Sequence, residues 1–380
     1  MRSTATGRER DSSLDPRRNN FNLLRFVAAS LVVLSHAFEL PTGFRSHDVA
    51  FALTGQPFSW YAVNLFFVVS GYLIVVSWER RSSVLAFLVA RVMRLVPGLL
   101  VMLIITVVVL GAAFSTYSFG QFITASQTWR YAAGCLSIVF VQYELPGVFS
   151  GNPVSAVNGS LWTLRYEVLC YLSVAAIGLL PGLQHIDRRR RSLVLSAAVV
   201  VTSVVLVVFD AFDLRYAGGK PAMMYELARL AMCFLLGGLY RQIETRLPLR
   251  FGIVIGLSAL TIAVAGTVWF SPIANVATAY ATFWIAFIPK GRWIAWTRSA
   301  PDYSYGVYIY AFPIQQALIA VWPGVTPLAN FMLGFALTLA AAAVSWHFVE
   351  KPALSLKRRF PAHAVRRSDF EPASKMPGEA

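Results

Sequence analysis

Long apolar runs recur along the chain near residues 21–40, 61–78, 95–114, 160–180, 193–209, 223–240, 252–270, 273–289, 303–321 and 328–348. A bilayer core takes about 20 consecutive apolar residues per helix. The pattern therefore predicts an all-α polytopic membrane protein of about ten transmembrane helices. No soluble block longer than about 45 residues interrupts the runs, so residues 21–352 are read as one membrane domain. The flanks, residues 1–20 and 353–380, are polar and charged and are read as disordered tails. The first run, Phe21 to Leu40, is long, contains Arg25 and lacks a small-residue cleavage site, so it is read as a retained helix and not a signal peptide. An eleventh apolar piece, Tyr131 to Tyr143, is too short to cross and is expected to be buried or re-entrant.

Composition removes the soluble alternatives. Of 380 residues 57% are hydrophobic and only 13% charged, against about 25% charged in an ordinary soluble domain. The net charge of +15 comes from 33 Lys+Arg against 18 Asp+Glu. Such a surplus suits nucleic acid or basic cytoplasmic loops, and its distribution selects the loops. With ten spans and an inside N-terminus, 26 basic residues fall in inside segments and 4 outside. Letting 131–143 cross as well would leave 11 inside and 19 outside. Both termini are therefore expected in the cytoplasm and residues 115–159 outside, with no nucleic-acid partner. Cys135, Cys170 and Cys233 show no paired spacing, so neither a disulfide framework nor a zinc site is expected. No metal cluster or glycine-rich phosphate loop is present in the sequence.

Ionisable groups inside spans are costly and mark function by default. Arg25 and His36 are eleven residues apart on the first run, which places them within about 20° on one helical stripe and roughly 16 Å apart along it. The second run carries Asn64, Ser70 and Gly71; the small pair suits close helix packing or a substrate contact. Arg91 and Arg94, with Pro97, are three apart before the third run, where guanidinium forks suit phosphate oxygens or lipid headgroups. Arg165 and Glu167 stand near the outer end of the fourth run and do not face each other. Glu226 and Arg229, at i,i+3, are read as a pair that neutralises itself within the bundle. Pro313 should kink the ninth span, and Pro352, after Glu350 and Lys351, is read as the end of the last.

Taken in order, Arg25-x10-His36, the FFVVSGYLI run, Arg91-x2-Arg94 with Pro97, SLWTLRYE, SYGVYIYAFPI and the terminal FVEKP resemble acyltransferase family 3. These are integral-membrane acyltransferases of bacterial surface sugars and related acceptors. The resemblance implies transfer of an acyl group, commonly acetyl, from cytoplasmic acyl-CoA to a hydroxyl of a glycan or lipid-linked sugar, in a bacterial inner membrane. It implies His36 as the catalytic histidine with Arg25 as its supporting partner, Arg91 and Arg94 as binders of CoA phosphates, and Glu167 in a motif serving the site. Acyl-CoA is then a co-substrate, with membrane lipids and the acceptor as the other partners. The chain departs from the family at Ala311, where many members have His, and shows no appended esterase-like domain. The residues themselves are compatible with acyl transfer, because an imidazole near neutral pH can take a hydroxyl proton. Whether His36 acts as the base or is itself acylated stays open. A polytopic transporter or flippase is the rival reading, and it would spread charges through broken helices.

Overall fold

The computed structural model describes residues 19–79, 83–180, 186–289 and 300–356, with positions 291 and 297. Most of the two expected tails, residues 1–18 and 357–380, lies outside the described residues. Within the described residues there is no strand. The principal helices are α1 (Phe21–Glu39), α2 (Phe58–Glu79), α3 (Val84–Phe114), α4 (Ser126–Ser137) and α5 (Leu164–Leu179). They continue with α6 (Arg188–Ala211), α7 (Gly219–Ile243), α8 (Phe251–Ala263), α9 (Phe270–Phe287), α10 (Ser304–Val321) and α11 (Pro327–Leu356). Each of the ten apolar runs falls on one of these helices. Six of them, α1, α2, α3, α6, α7 and α11, are long and apolar enough to cross a membrane.

Burial explains why α10 is less apolar than those six. Thirteen of its 18 residues are buried, including Gln315 and Gln316, so its surroundings are other helices and not lipid. Both amide nitrogens find partners: Gln315 Nε2 donates to Val33 O on α1 (2.9 Å), and Gln316 Nε2 to Val154 O and Ala156 O, while Gln315 Oε1 is left without a partner among the described residues. At the other extreme, α6 has Leu206 as its one buried residue, and after its opening four arginines it is rich in Val, Leu and Ala. α2 and α7 cross backbone to backbone. A Cβ on Gly71 would run into Phe234 O, and one on Gly237 into Val68 O. The small pair in the second run is thus divided by helix geometry: Gly71 packs against α7, while Ser70 turns to a cavity.

Several boundaries differ from the sequence reading, each for a local reason. α3 begins at Val84, capped by Ser83, whose Oγ accepts from Ala86 N. Arg91 and Arg94 therefore lie within α3, which starts eleven residues ahead of the apolar run at 95–114. α8 stops at Ala263, where the chain turns through Gly266 at φ +77°, so 13 residues rise about 20 Å. α11 runs on through Pro352 to Leu356 instead of ending there. It contains a wide π turn over Trp346–Glu350 that loosens the hydrogen-bond register ahead of the proline. Nor is the N-terminal flank loose up to residue 20: Asn20 is buried and its Nδ2 donates to Ile285 O (2.8 Å) and Pro289 O (3.0 Å).

The segment from 115 to 163 packs onto the bundle and enters it. Half of the short apolar piece at 131–143 forms the end of α4, which stops at Ile138 in the left-handed region, and Tyr131, Cys135 and Ile138 are buried. Further on, Asn158 Nδ2 donates to Ile309 O at 2.9 Å. That carbonyl is available because residue 313, four positions on, is a proline without an N–H. α10 itself continues through Pro313. Gly159 lies so close to Phe312 that a Cβ would come within 2.6 Å of the ring. The first turn of α5 is consequently set among buried residues, including Ser160, Leu161 and Thr163.

Candidate functional site

Arg25 on α1, Arg91 and Arg94 on α3, and Glu167 and Tyr171 on α5 line one cavity of about 160 Å³, with Phe66, Ser70, Tyr305 and Tyr308 completing its walls. The bundle thus brings to Arg25 two arginines that are 66 and 69 residues away in sequence. A space of that size holds a phosphate or a slender chain and is too small for a whole nucleotide. The other sizeable cavity, about 600 Å³ between α6, α7, α8 and α9, is walled by Val, Leu and Ile with Ser203, Met232, Trp269 and Pro272. It presents no charged group, whereas the smaller one collects four.

The arginines are held differently. Arg94 Nη2 donates to Asp302 Oδ2 at 2.7 Å, and Arg25 Nη1 donates to the same oxygen. Asp302 Oδ1 in turn accepts from Ser304 Oγ and Ser304 N at the start of α10. Burial opposes ionisation of this carboxyl, but the Arg25 and Arg94 guanidiniums hold it well below the usual carboxylate range. Arg94 also lies over the rings of Tyr305 and Trp346. Among the described residues Arg91 makes no such ion pair. Its Nη2 donates to Ser77 Oγ (3.1 Å), its guanidinium lies between the rings of Phe87 and Tyr171, and its Nε is buried without a partner. Tyr171 donates its hydroxyl to Glu167. Glu167 stands in the first turn of α5 and lines the cavity with Tyr171.

His36 stands apart from that cluster. It lies eleven residues along α1 from Arg25, a rise of roughly 16 Å. Its ring meets Phe312 of α10 edge-on at 5.0 Å, and its Nδ1 is buried without a hydrogen-bond partner. The loop after α1 is pinned beside it. Asp48 is buried, accepts from Ser35 Oγ, and takes the backbone N–H groups of Ala50 (2.8 Å) and Phe58 (3.1 Å). Ala311, where many family members carry His, is buried with Ala29, Val33, Val307 and Ala342 in a seam of small residues between α1, α10 and α11.

Sequence reasoning passed over Asp302 and gave Glu350 no role beyond marking a boundary. Asp302 precedes the ninth run in a short polar link, and only the partner arginines from α1 and α3 distinguish it. Glu350 is buried by the π turn of α11, with Oε1 accepting from Ser345 Oγ (3.1 Å) and Oε2 unpartnered. Glu226 and Arg229 pair as their spacing implies, Arg229 Nε donating to Glu226 Oε2 at 2.8 Å. Their network also includes Asn64, Asn275 and the face of Trp60. No group of three or more His, Cys, Asp or Glu side chains suited to a metal occurs among the described residues, and the three cysteines are buried and unpaired.

The described residues form a helical bundle with an arginine-lined cavity and a buried histidine farther along one of the helices that wall it. Comparison with known proteins gives the family. The acyltransferase-domain model matches residues 18–347, and the chain belongs to acyltransferase family 3. It is 28% identical to an O-acetyl transferase of Shigella phage Sf6, over 88% of this chain and 95% of the relative. It is 30% identical to Nodulation protein 10 of Rhizobium leguminosarum bv. viciae, over 90% and 94%. A putative membrane-bound transacylase, BcsY, of Komagataeibacter xylinus is 25% identical over 92% and 86%. No solved structure matches. The protein is an acyltransferase, and among the described residues six of its helices are long and apolar enough to cross a membrane.

Proposed function

We propose that the protein transfers an acyl group, acetyl in the first instance, from cytoplasmic acyl-CoA to a hydroxyl of a glycan or lipid-linked sugar in a bacterial inner membrane. One observation carries this reading: Arg25, Arg91, Arg94 and Glu167 converge on a single cavity that shares helix α1 with His36. The names of the relatives, an O-acetyl transferase and a transacylase, support the same chemistry. In this reading CoA phosphates bind at the arginines through charge-assisted hydrogen bonds. The pantetheine arm then extends along α1 and brings the thioester to His36. The acceptor oxygen attacks the thioester carbon, His36 takes the hydroxyl proton, the C–S bond breaks, and the proton passes to the departing thiolate. A variant in which His36 first carries the acyl group obeys the same balance.

The test is purified protein with labelled acetyl-CoA, followed by CoA release. Arg91→Ala should raise KM for acetyl-CoA by about tenfold with a smaller change in kcat, because binding to a non-reacting part of the donor is lost. Arg91→Lys should restore part of it, since an ammonium keeps the charge but not the planar fork. An unchanged KM in Arg91→Ala would remove the phosphate role.

The same reading has ten membrane crossings, both termini in the cytoplasm and residues 115–159 outside, supported by the asymmetry of basic residues. Gly151 is exposed with open space around it, and the native cysteines are buried. A Gly151→Cys variant should label with a membrane-impermeant thiol reagent in intact spheroplasts. Labelling only after lysis would reverse the orientation. The neighbouring Asn152 is a poorer choice, because its Nδ2 is bonded to Gln316 O and Oε1 on α10.

A further inference from the structure

We propose that Asp302 is a positioning residue for the donor site, its carboxylate aligning the guanidiniums of Arg25 and Arg94, from two helices, into one anion seat on the cavity wall. The inference rests on the acyl-CoA reading above. Two guanidiniums bonded to one oxygen are close enough to repel each other strongly in a setting of low dielectric. Their side chains are only 22% and 15% exposed, so water screens them little. Without an anion between them, α1 and α3 would present these charges splayed apart. Asp302 supplies that anion, and it is itself fixed: Ser304 N and Oγ occupy Oδ1 while Oδ2 takes both arginines. The carboxylate also comes from the start of α10, the most enclosed helix, so it ties three helices at one point. Arg25 and Arg94 both still line the cavity, whereas Asp302 does not, so the brace sits behind the seat. Arg91, held by Ser77 and two aromatic faces, needs no such brace.

Removing the carboxylate has two opposed effects on a phosphate ligand. The cavity gains one net positive charge, which favours the anion, and it loses alignment of two forks, which disfavours it. Alignment should dominate, because the advantage of a guanidinium over a point charge is its preset planar geometry. The experiment is titration of CoA itself into purified full-length protein, wild type and variants, with KM and kcat for acetyl-CoA measured alongside. Asp302→Ala and Asp302→Asn should each weaken CoA binding about tenfold and raise KM by a similar factor. Asp302→Glu should recover part of the loss. In an Arg25→Ala/Arg94→Ala background, Asp302→Ala should cost nothing further, since residues acting through one another are not additive.

Tighter CoA binding in Asp302→Asn would mean that the carboxylate competes with phosphate, and would overturn the proposal. So would a lower melting temperature with an unchanged dissociation constant, which is the mark of a purely structural carboxylate. Full persistence of the Asp302→Ala effect without the two arginines would overturn it as well. If wild-type protein binds no CoA, it is the acyl-CoA reading that falls. Wild-type binding with indifferent Asp302 variants removes only the positioning role.

Discussion

His36→Ala is expected to reduce acyl transfer by roughly 10²–10⁴-fold while leaving the protein folded in the membrane. The stability part follows from the surroundings. The imidazole makes one edge-on contact with Phe312, its Nδ1 has no protein partner, and the loop beside it is pinned by Asp48 and Ser35. Truncation therefore strands no hydrogen-bonding group through Nδ1 and leaves the pinning contacts intact. The activity part follows from the proposed role: of the side chains along α1, the imidazole is the type suited to take and return the proton of an attacking hydroxyl. Arg25→Ala should act differently, through the donor, because Arg25 belongs to the Asp302 cluster and not to the surroundings of His36. The measurement is acetylation of the acceptor glycan in cells at matched protein levels. Near-normal acetylation in the His36→Ala strain would refute the assignment.

The largest effect on stability is expected at Arg229. Its side chain is 1% exposed, bonded to Glu226 and Asn64, and stacked over Trp60 at 4.9 Å. Asn64 continues the network to Asn275, whose Nδ2 donates back to Arg229 O. Arg229→Leu would leave a carboxylate and an amide oxygen facing each other without a donor. Breaking a buried pair by deleting one partner costs about 3–5 kcal/mol. Glu226 is 28% exposed and can be partly rehydrated, so the lower end applies. Replacing Glu226 by Gln in the same chain removes the stranded charge and should recover a substantial part of the loss. Thermal unfolding in detergent measures both, and equal melting temperatures for wild type and Arg229→Leu would show that the network contributes nothing.

The rows of apolar residues were enough to place a helix at each of the ten runs, six of them long and apolar enough to cross a membrane, because a chain facing lipid must satisfy its backbone internally and show apolar side chains over a fixed length. Arg229 with Glu226 was equally legible, since an i,i+3 spacing is a local property of a helix. The position of Gly71 was only half legible. A glycine in a run announces close approach, but which helix approaches depends on α7 and its Gly237. Boundaries suffered where punctuation is ambiguous. Pro352 reads as a stop, yet a π turn upstream lets α11 pass through it, and the third apolar run begins at residue 95 although helix α3 begins at Val84.

The sequence by itself determined an all-helical membrane bundle, its ten apolar helices, the pairing of Arg229 with Glu226 and the order of motifs that marks acyltransferase family 3. The tertiary structure decided that Arg25 shares an inner cavity with Arg91, Arg94 and Glu167 while His36 stands a separate distance along the same helix. It also decided that Asp302 joins Arg25 and Arg94. The difference is physical: helix periodicity and apolarity are set by neighbours within a few residues. A carboxylate 277 positions from its arginine partner acquires meaning only when α1, α3 and α10 are packed together.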